Sequence, residues 1–310
     1  MKPAKQKKKI LKAYKKRKRA IRRWVITTKG RIILAGPWGR NRISKLLPYA
    51  PAERFSEESR GKAIVLAPHP DDEVFGCGLL MQELVNKNRE IELVFITKGE
   101  AYSTQKGKAG LRKLEGDNSA KRFGVNVSWL EYEDKTLDKR IDELSSDLST
   151  VFREHRPGMV VIPFFADYHT DHRALASAAL KALQTVTEEL QENITICMYS
   201  TFSPHIPVNG AGLKYIEKSE SALLKHLDEY RYSAAPVIVK GWLMLRELTA
   251  RRYLGRRIFW EPYLVFNTDA LEEILNSAGR WPGIYPRLVK PQLWEAFIKE
   301  LEDLSGAMKP

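Results

Sequence analysis

Two short segments concentrate residues able to hold a metal or move protons. The first reads Ala67-Pro68-His69-Pro70-Asp71-Asp72-Glu73, and the second Asp167-Tyr168-His169-Thr170-Asp171-His172. Together they contain three of the six histidines of the chain and a run of close carboxylates. Imidazole and carboxylate at short spacing suit a borderline divalent metal such as zinc. Three protein ligands leave a fourth position for water, whose pKa the metal lowers toward about 7. The adjacent pair Asp71 and Asp72 allows a division of labour, one carboxylate on metal and the other handling protons. A competing explanation is helix capping by Asp71 or Asp72 and by Asp171. It accounts for one carboxylate per loop, but not for two loops dense in both His and Asp.

The elements that must position these loops are short apolar runs at 63–67, 91–97, 125–130, 159–163 and 194–199. Each has the texture of a buried strand. Helical patterns at about 78–88, 111–123, 137–155 and 171–192 fall between them. This alternation predicts an α/β fold: a Rossmann-like, doubly wound, mostly parallel sheet with helices on both faces. Both loops follow the carboxyl end of a strand, the first and the fourth. In the common strand order 3-2-1-4-5 these two are neighbours at the topological switch point, where open α/β sheets bind ligands. Beyond residue 199 the pattern becomes irregular. Helices are expected at about 215–230 and 237–253, a strand at 263–267, and a final helix from Pro291. This C-terminal portion is expected to pack on the sheet and wall the site.

Charge divides the chain. Residues 1–52 hold 18 Lys and Arg and no Asp or Glu, whereas the remaining 34 basic residues face 38 acidic ones. We therefore expect a basic arm and linker over 1–52 and one domain over 53–310. The body is mildly acidic, which argues against a nucleic-acid-binding fold. Two cysteines, Cys77 and Cys197, cannot form a disulfide framework and point to a reducing compartment. No apolar stretch is long enough for a transmembrane helix, and a secretory signal fits poorly. The expected location is cytoplasmic, with peripheral attachment to the inner face of the membrane through the arm. There Lys and Arg would meet an anionic surface, and Ile10, Leu11, Ile21 and Trp24 would insert shallowly. The Gly76-Cys77-Gly78 segment lacks the third glycine of a dinucleotide fingerprint, and Cys77 reads as a small buried residue at a helix start.

The chain resembles the LmbE-like or PIG-L family of zinc-dependent N-deacetylases, which act on N-acetylglucosaminyl groups. The first loop matches the family's AHPDDE signature as Ala67–Glu73, and His169, Asp171 and His172 match its H-x-D-H. Arg112 and Glu115 match R-x-x-E, residues 120–125 resemble A-x-x-x-L-G-V with Phe123 in place of Leu, and Glu133-Asp134 matches the acidic position after the third strand. The likeness covers about 62–175 and thins later, where Ala234 stands at the family's glutamine and Glu261 only loosely matches its glutamate.

The resemblance implies His69, Asp72 and His172 as zinc ligands and Asp71 as general base. It implies a protonated His169 that steadies the oxyanion, with Asp171 orienting His169 and keeping it charged. Arg112 and Asp134 are implied in binding sugar hydroxyls. The function expected on this basis is removal of acetyl from an N-acetylated amino sugar in a lipid- or cell-envelope-linked glycoconjugate. Two alternatives are an iron(II) oxygenase, since two His and a carboxylate also suit iron, and a non-enzymatic scaffold whose arm binds nucleic acid. Nucleic acid is the less expected partner, because the intact constellation speaks for hydrolysis.

Overall fold

The computed structural model describes residues 51–56, 61–102, 110–167, 169–190, 193–201, 208, 210–218, 221–233 and 235–278. The basic arm, Ala234 and the helix expected from Pro291 lie outside them.

Strands β1 (Ala52–Arg54), β2 (Ala63–Ala67), β3 (Ile91–Thr97), β4 (Asn126–Tyr132), β5 (Met159–Pro163), β6 (Thr195–Tyr199), β7 (Gly212–Glu217) and β8 (Trp260–Asn267) form one sheet. Its order is β1-β7-β8-β6-β5-β2-β3-β4. From β6 to β4 all neighbours are parallel, and the first and fourth expected strands, β2 and β5, lie side by side. The anticipated switch point is present. The helices are α1 (Asp72–Asn86), α2 (Leu111–Phe123), α3 (Ile141–His155), α4 (Thr170–Leu190), α5 (Ser221–Leu227), α6 (Ala235–Leu254) and α7 (Leu271–Ala278).

The layers follow from the two-residue period of β2. Ile64 and Leu66 point into a core with Leu148 and Phe152 of α3 and Leu175 and Leu183 of α4. Ala63, Val65 and Ala67 point the other way, against Phe75, Leu79 and Leu80 of α1. A strand covered on both faces must be apolar throughout, which is why these runs read clearly in the sequence.

Past β6 the sheet turns antiparallel through β8 and β7, with β1 closing the edge. The helix expected over 215–230 is therefore corrected: its start is the end of β7, and among the described residues of that stretch the helix runs over Ser221–Leu227. Leu213 and Tyr215 of β7 pair with Leu264 and Pro262 of β8 and enter the core with α3 and α4, so pairing with a strand some fifty residues later overrides the local pattern. Among the described residues, no helix is long and apolar enough to cross a membrane.

Candidate active site

The site is built where β2 and β5 end. The loop after β2 delivers His69, Asp71 and Asp72, and the loop after β5 delivers Asp167, His169, Asp171 and His172. Asp71 takes the N-cap position of α1 but makes no side-chain cap bond, so its carboxylate stays available for chemistry. Its backbone has φ 107, a conformation that costs an L-residue about 1–3 kcal/mol. Neighbouring groups hold it there. Glu73 Oε2 accepts the Asp71 N–H at 3.0 Å, and Val74 and Phe75 donate to the Asp71 carbonyl. Glu73 is itself fixed by donors from Ser119 Oγ at 2.6 Å and from the Tyr230 hydroxyl.

Asp72 lies at the centre. Its Oδ2 is 3.0 Å from His69 Nδ1 and 3.1 Å from His172 Nε2, and it also accepts the His69 backbone N–H at 3.0 Å. Each of these histidines meets a second carboxylate on its other nitrogen. His69 Nε2 is 3.0 Å from Asp171 Oδ2, and His172 Nδ1 is 3.5 Å from Asp167 Oδ1. Asp171 is steadied in turn by the Lys135 N–H at 2.7 Å, and Asp167 accepts the His169 N–H at 3.1 Å. Bridged carboxylate–histidine pairs of this kind orient imidazoles that ligate metals.

These residues fit a metal. Tetrahedral bonds of about 2.0–2.1 Å place ligand atoms roughly 3.3 Å apart, close to the separations of Asp72 Oδ2 from the two ring nitrogens. Ligand atoms of His69, His169 and His172 also lie within 4.8 Å of one another. The buried Asp171 Oδ1 has no hydrogen-bond partner.

The cluster shifts the titration of its own members. Burial disfavours a charged His69 ring, yet Asp171 and Asp72 outweigh it and push the pKa up to about 9. Burial opposes a charged His172 likewise, and Asp72 and Asp167 push it up to about 10. Burial also resists ionisation of Asp72, but His172 and His69 hold it well below the usual carboxylate range. For Asp71 burial prevails and raises the pKa to about 6, against the pull of Arg112.

Four expectations change in detail. The Asp171 carboxylate lies on His69, and Asp171 meets His169 through its backbone N–H, which donates to Nδ1 at 3.2 Å. Burial, with His172 and His69 nearby, pushes His169 down to about 3, opposite in direction to the charged ring expected. Since Nδ1 accepts, the proton sits on Nε2. Arg112, expected on sugar hydroxyls, is 2% exposed. Its Nη2 reaches Asp71 Oδ2 at 3.2 Å and donates to the Pro70 carbonyl, while Nη1 pairs with Glu115 at 2.9 Å. Both oxygens of Asp134 are engaged by backbone N–H groups of Gly99 and Ala101, at 3.0 and 2.7 Å, so Asp134 ties down the loop after β3.

Sequence reasoning gave no role to Asp167, Glu73 or Ser119. Asp167 had a signal, two residues before His169 and five before His172. Ser119 had none.

Residues 64–183, which hold both loops, match the family model described as PIG-L, GlcNAc-PI de-N-acetylase. This segment is similar to a PIG-L family domain. The chain is 28% identical over 151 residues to a protein of Bacillus subtilis named "Probable N-acetyl-alpha-D-glucosaminyl L-malate deacetylase 2", covering 44% of this chain and 67% of that one. It is 29% identical over 131 residues to the diacetylchitobiose deacetylase of Thermococcus kodakarensis, covering 39% of this chain and 49% of the relative. The match thus spans about two thirds of the first relative and half of the second. The fold is similar to that of the N,N'-diacetylchitobiose deacetylase from Pyrococcus horikoshii, with a TM-score of 0.53, 22% identity and coverage of 66% and 84% of the two chains. The matched segment takes in the strands and loops from β2 to most of α4. Helix α6 and strands β7 and β8 lie beyond it.

Proposed function

We propose that this PIG-L-like domain is a zinc-dependent hydrolase that removes acetyl from an N-acetylglucosaminyl group. The observation that carries the reading is the meeting of His69 Nδ1 and His172 Nε2 on Asp72 Oδ2, with the Asp71 carboxylate, held by Arg112, adjacent in the chain. The names of the relatives, all deacetylases of N-acetylated sugars, support it.

His69, Asp72 and His172 would hold the metal, with Asp171 and Asp167 fixing the two rings from behind. When bound, zinc supplies Lewis acidity toward water and toward an acyl oxygen. Asp71 takes the proton from the attacking water and returns it to the leaving amine nitrogen, so the amide breaks into acetate and a free amine. Arg112 holds the Asp71 carboxylate in one orientation while this happens. His169, neutral and protonated on Nε2, offers that N–H to the acyl oxygen as negative charge develops. Asp134 serves by fixing the loop after β3.

Iron(II) suits the same donors, and metal analysis with an oxygen-consumption assay separates the two readings. The finer substrate assignment, a lipid- or envelope-linked glycan, rests on the charge of residues 1–52 and their attraction to an anionic surface. The test is acetate release from a panel of N-acetylglucosaminyl compounds: nucleotide-linked, phosphatidylinositol-linked, malate-linked and lipid A-type fragments. Acetate from one class, absent with His172→Ala, supports the reading and names the substrate. Silence across the panel from zinc-loaded protein overturns it.

A further inference from the structure

Helix α1, whose first turn carries Asp72, is broken. Cys77 has φ −145 and ψ 25 in the middle of it. In an unbroken helix the Leu79 N–H would bond to the Phe75 carbonyl. Here both groups have been claimed by other parts of the chain. The Phe75 carbonyl accepts from Trp242 Nε1 at 2.9 Å and from Arg246 Nη2 at 2.8 Å. On the other side of the break, the N–H groups of Leu79 and Leu80 donate to the two oxygens of Glu261, at 3.1 and 3.0 Å. The Tyr263 hydroxyl donates to the same carboxylate. Trp242 and Glu261 have no exposed surface, and Arg246 is 3% exposed.

Buried charges without such partners are costly, so this arrangement is a built one. Gly76, at the break, allows a close approach: a Cβ there would lie 2.0 Å from the Tyr199 ring. The same Arg246 Nη2 also donates to the Ser200 carbonyl at 2.7 Å. Ser200 Oγ lies 3.4 Å from Asp167 Oδ2, and Asp167 faces His172. One guanidinium therefore joins the turn that carries Asp72 to the segment behind His172. All three side chains come from α6 and β8, outside the residues that the family model matches.

We infer that Trp242, Arg246 and Glu261 are positioning residues of the metal centre. They hold α1 open at Cys77, so that its first turn is directed by α6 and β8 rather than by the rest of its own helix. The inference rests on the proposed metal site and goes beyond it by giving the C-terminal segments a part in metal affinity.

The test is zinc affinity, by competition with a chromophoric chelator, together with the absorption spectrum of the cobalt(II)-loaded protein. Native protein would be compared with Glu261→Gln, Arg246→Met and Trp242→Phe. Trp260→Phe is the control. Its indole is equally buried and donates to Thr249 Oγ1 at 2.8 Å, between β8 and α6, and it packs beside Tyr215 and Tyr253 in the other core layer from α1. Glu261→Gln and Arg246→Met should weaken zinc by about 10-fold or more and alter the cobalt spectrum, as supporting groups behind metal ligands do. Trp242→Phe should weaken it less, because Arg246 remains on Phe75. Trp260→Phe should lower thermal stability and leave zinc affinity alone. If Arg246→Met fails to fold, Glu261→Gln and Trp242→Phe decide. Native zinc affinity and cobalt spectra in those two variants, or equal weakening by Trp260→Phe, would overturn the inference. Failure of the native chain itself to bind zinc would instead refute the metal reading beneath it.

Discussion

Arg112 grips Asp71: its Nη2 stands 3.2 Å from Asp71 Oδ2 and donates to the carbonyl of the preceding Pro70. One guanidinium thus holds both the carboxylate and the peptide that leads into it. Arg112 is buried and Asp71 only slightly exposed, so solvent weakens the contact little.

Arg112→Met should therefore lower kcat by about 10-fold or more while KM and bound zinc stay near native, because misplaced proton carriers lose rate rather than binding. Steady-state kinetics with metal analysis checks this. A raised KM with native kcat would return Arg112 to the sugar-binding role that the sequence suggested.

Asp171→Asn should weaken zinc binding by about 10- to 100-fold, since Asp171 orients His69. Asp167→Asn should act in the same direction through His172. Chelator competition measures both. Native affinity with lost turnover in Asp171→Asn would assign Asp171 to His169 instead.

Much of this arrangement was legible in the sequence, for physical reasons that can be named. Strands β2, β3 and β5 are buried and almost wholly apolar because helices cover both faces, and the two loops stand out because His and Asp rarely crowd together. The adjacency of β2 and β5 followed once the common strand order of doubly wound sheets was assumed. Which imidazole the Asp171 carboxylate faces was not legible. That depends on how two loops 102 residues apart meet, and a local spacing of two favoured His169 over His69. Arg112 read as a sugar-binding residue because nothing nearby in the chain shows that Gly99, Pro70 and Tyr230 cover it. Strand β7 was missed because its partner, β8, lies far downstream. The capping of α1 by Glu261 was hidden for the same reason.

A pH dependence of stability follows from His226, at the end of α5. Its ring stacks on Phe123 with centroids 3.8 Å apart, and Nδ1 is buried without a hydrogen-bond partner. Burial, assisted by nearby Arg122, pushes its pKa from 6.5 down to about 4. The unfolded chain then binds a proton that the folded chain refuses. The contribution is complete above about pH 6.5 and is lost as pH falls toward 4. Thermal melts of native protein and His226→Leu should diverge accordingly, with the native Tm falling more between pH 7 and 4.5. Parallel curves would contradict this.

The most direct test of the central claim compares native protein with Asp71→Asn, both zinc-loaded, on the N-acetylglucosaminyl substrate in ¹⁸O-labelled water. Asn tolerates the positive φ at this position, so the loop should keep its shape. The account predicts one labelled oxygen in each acetate from the native enzyme. It predicts equal zinc content in the variant and a rate lower by about 10² or more. Asp71→Asn turning over at the native rate with zinc bound, or acetate without label, would contradict it.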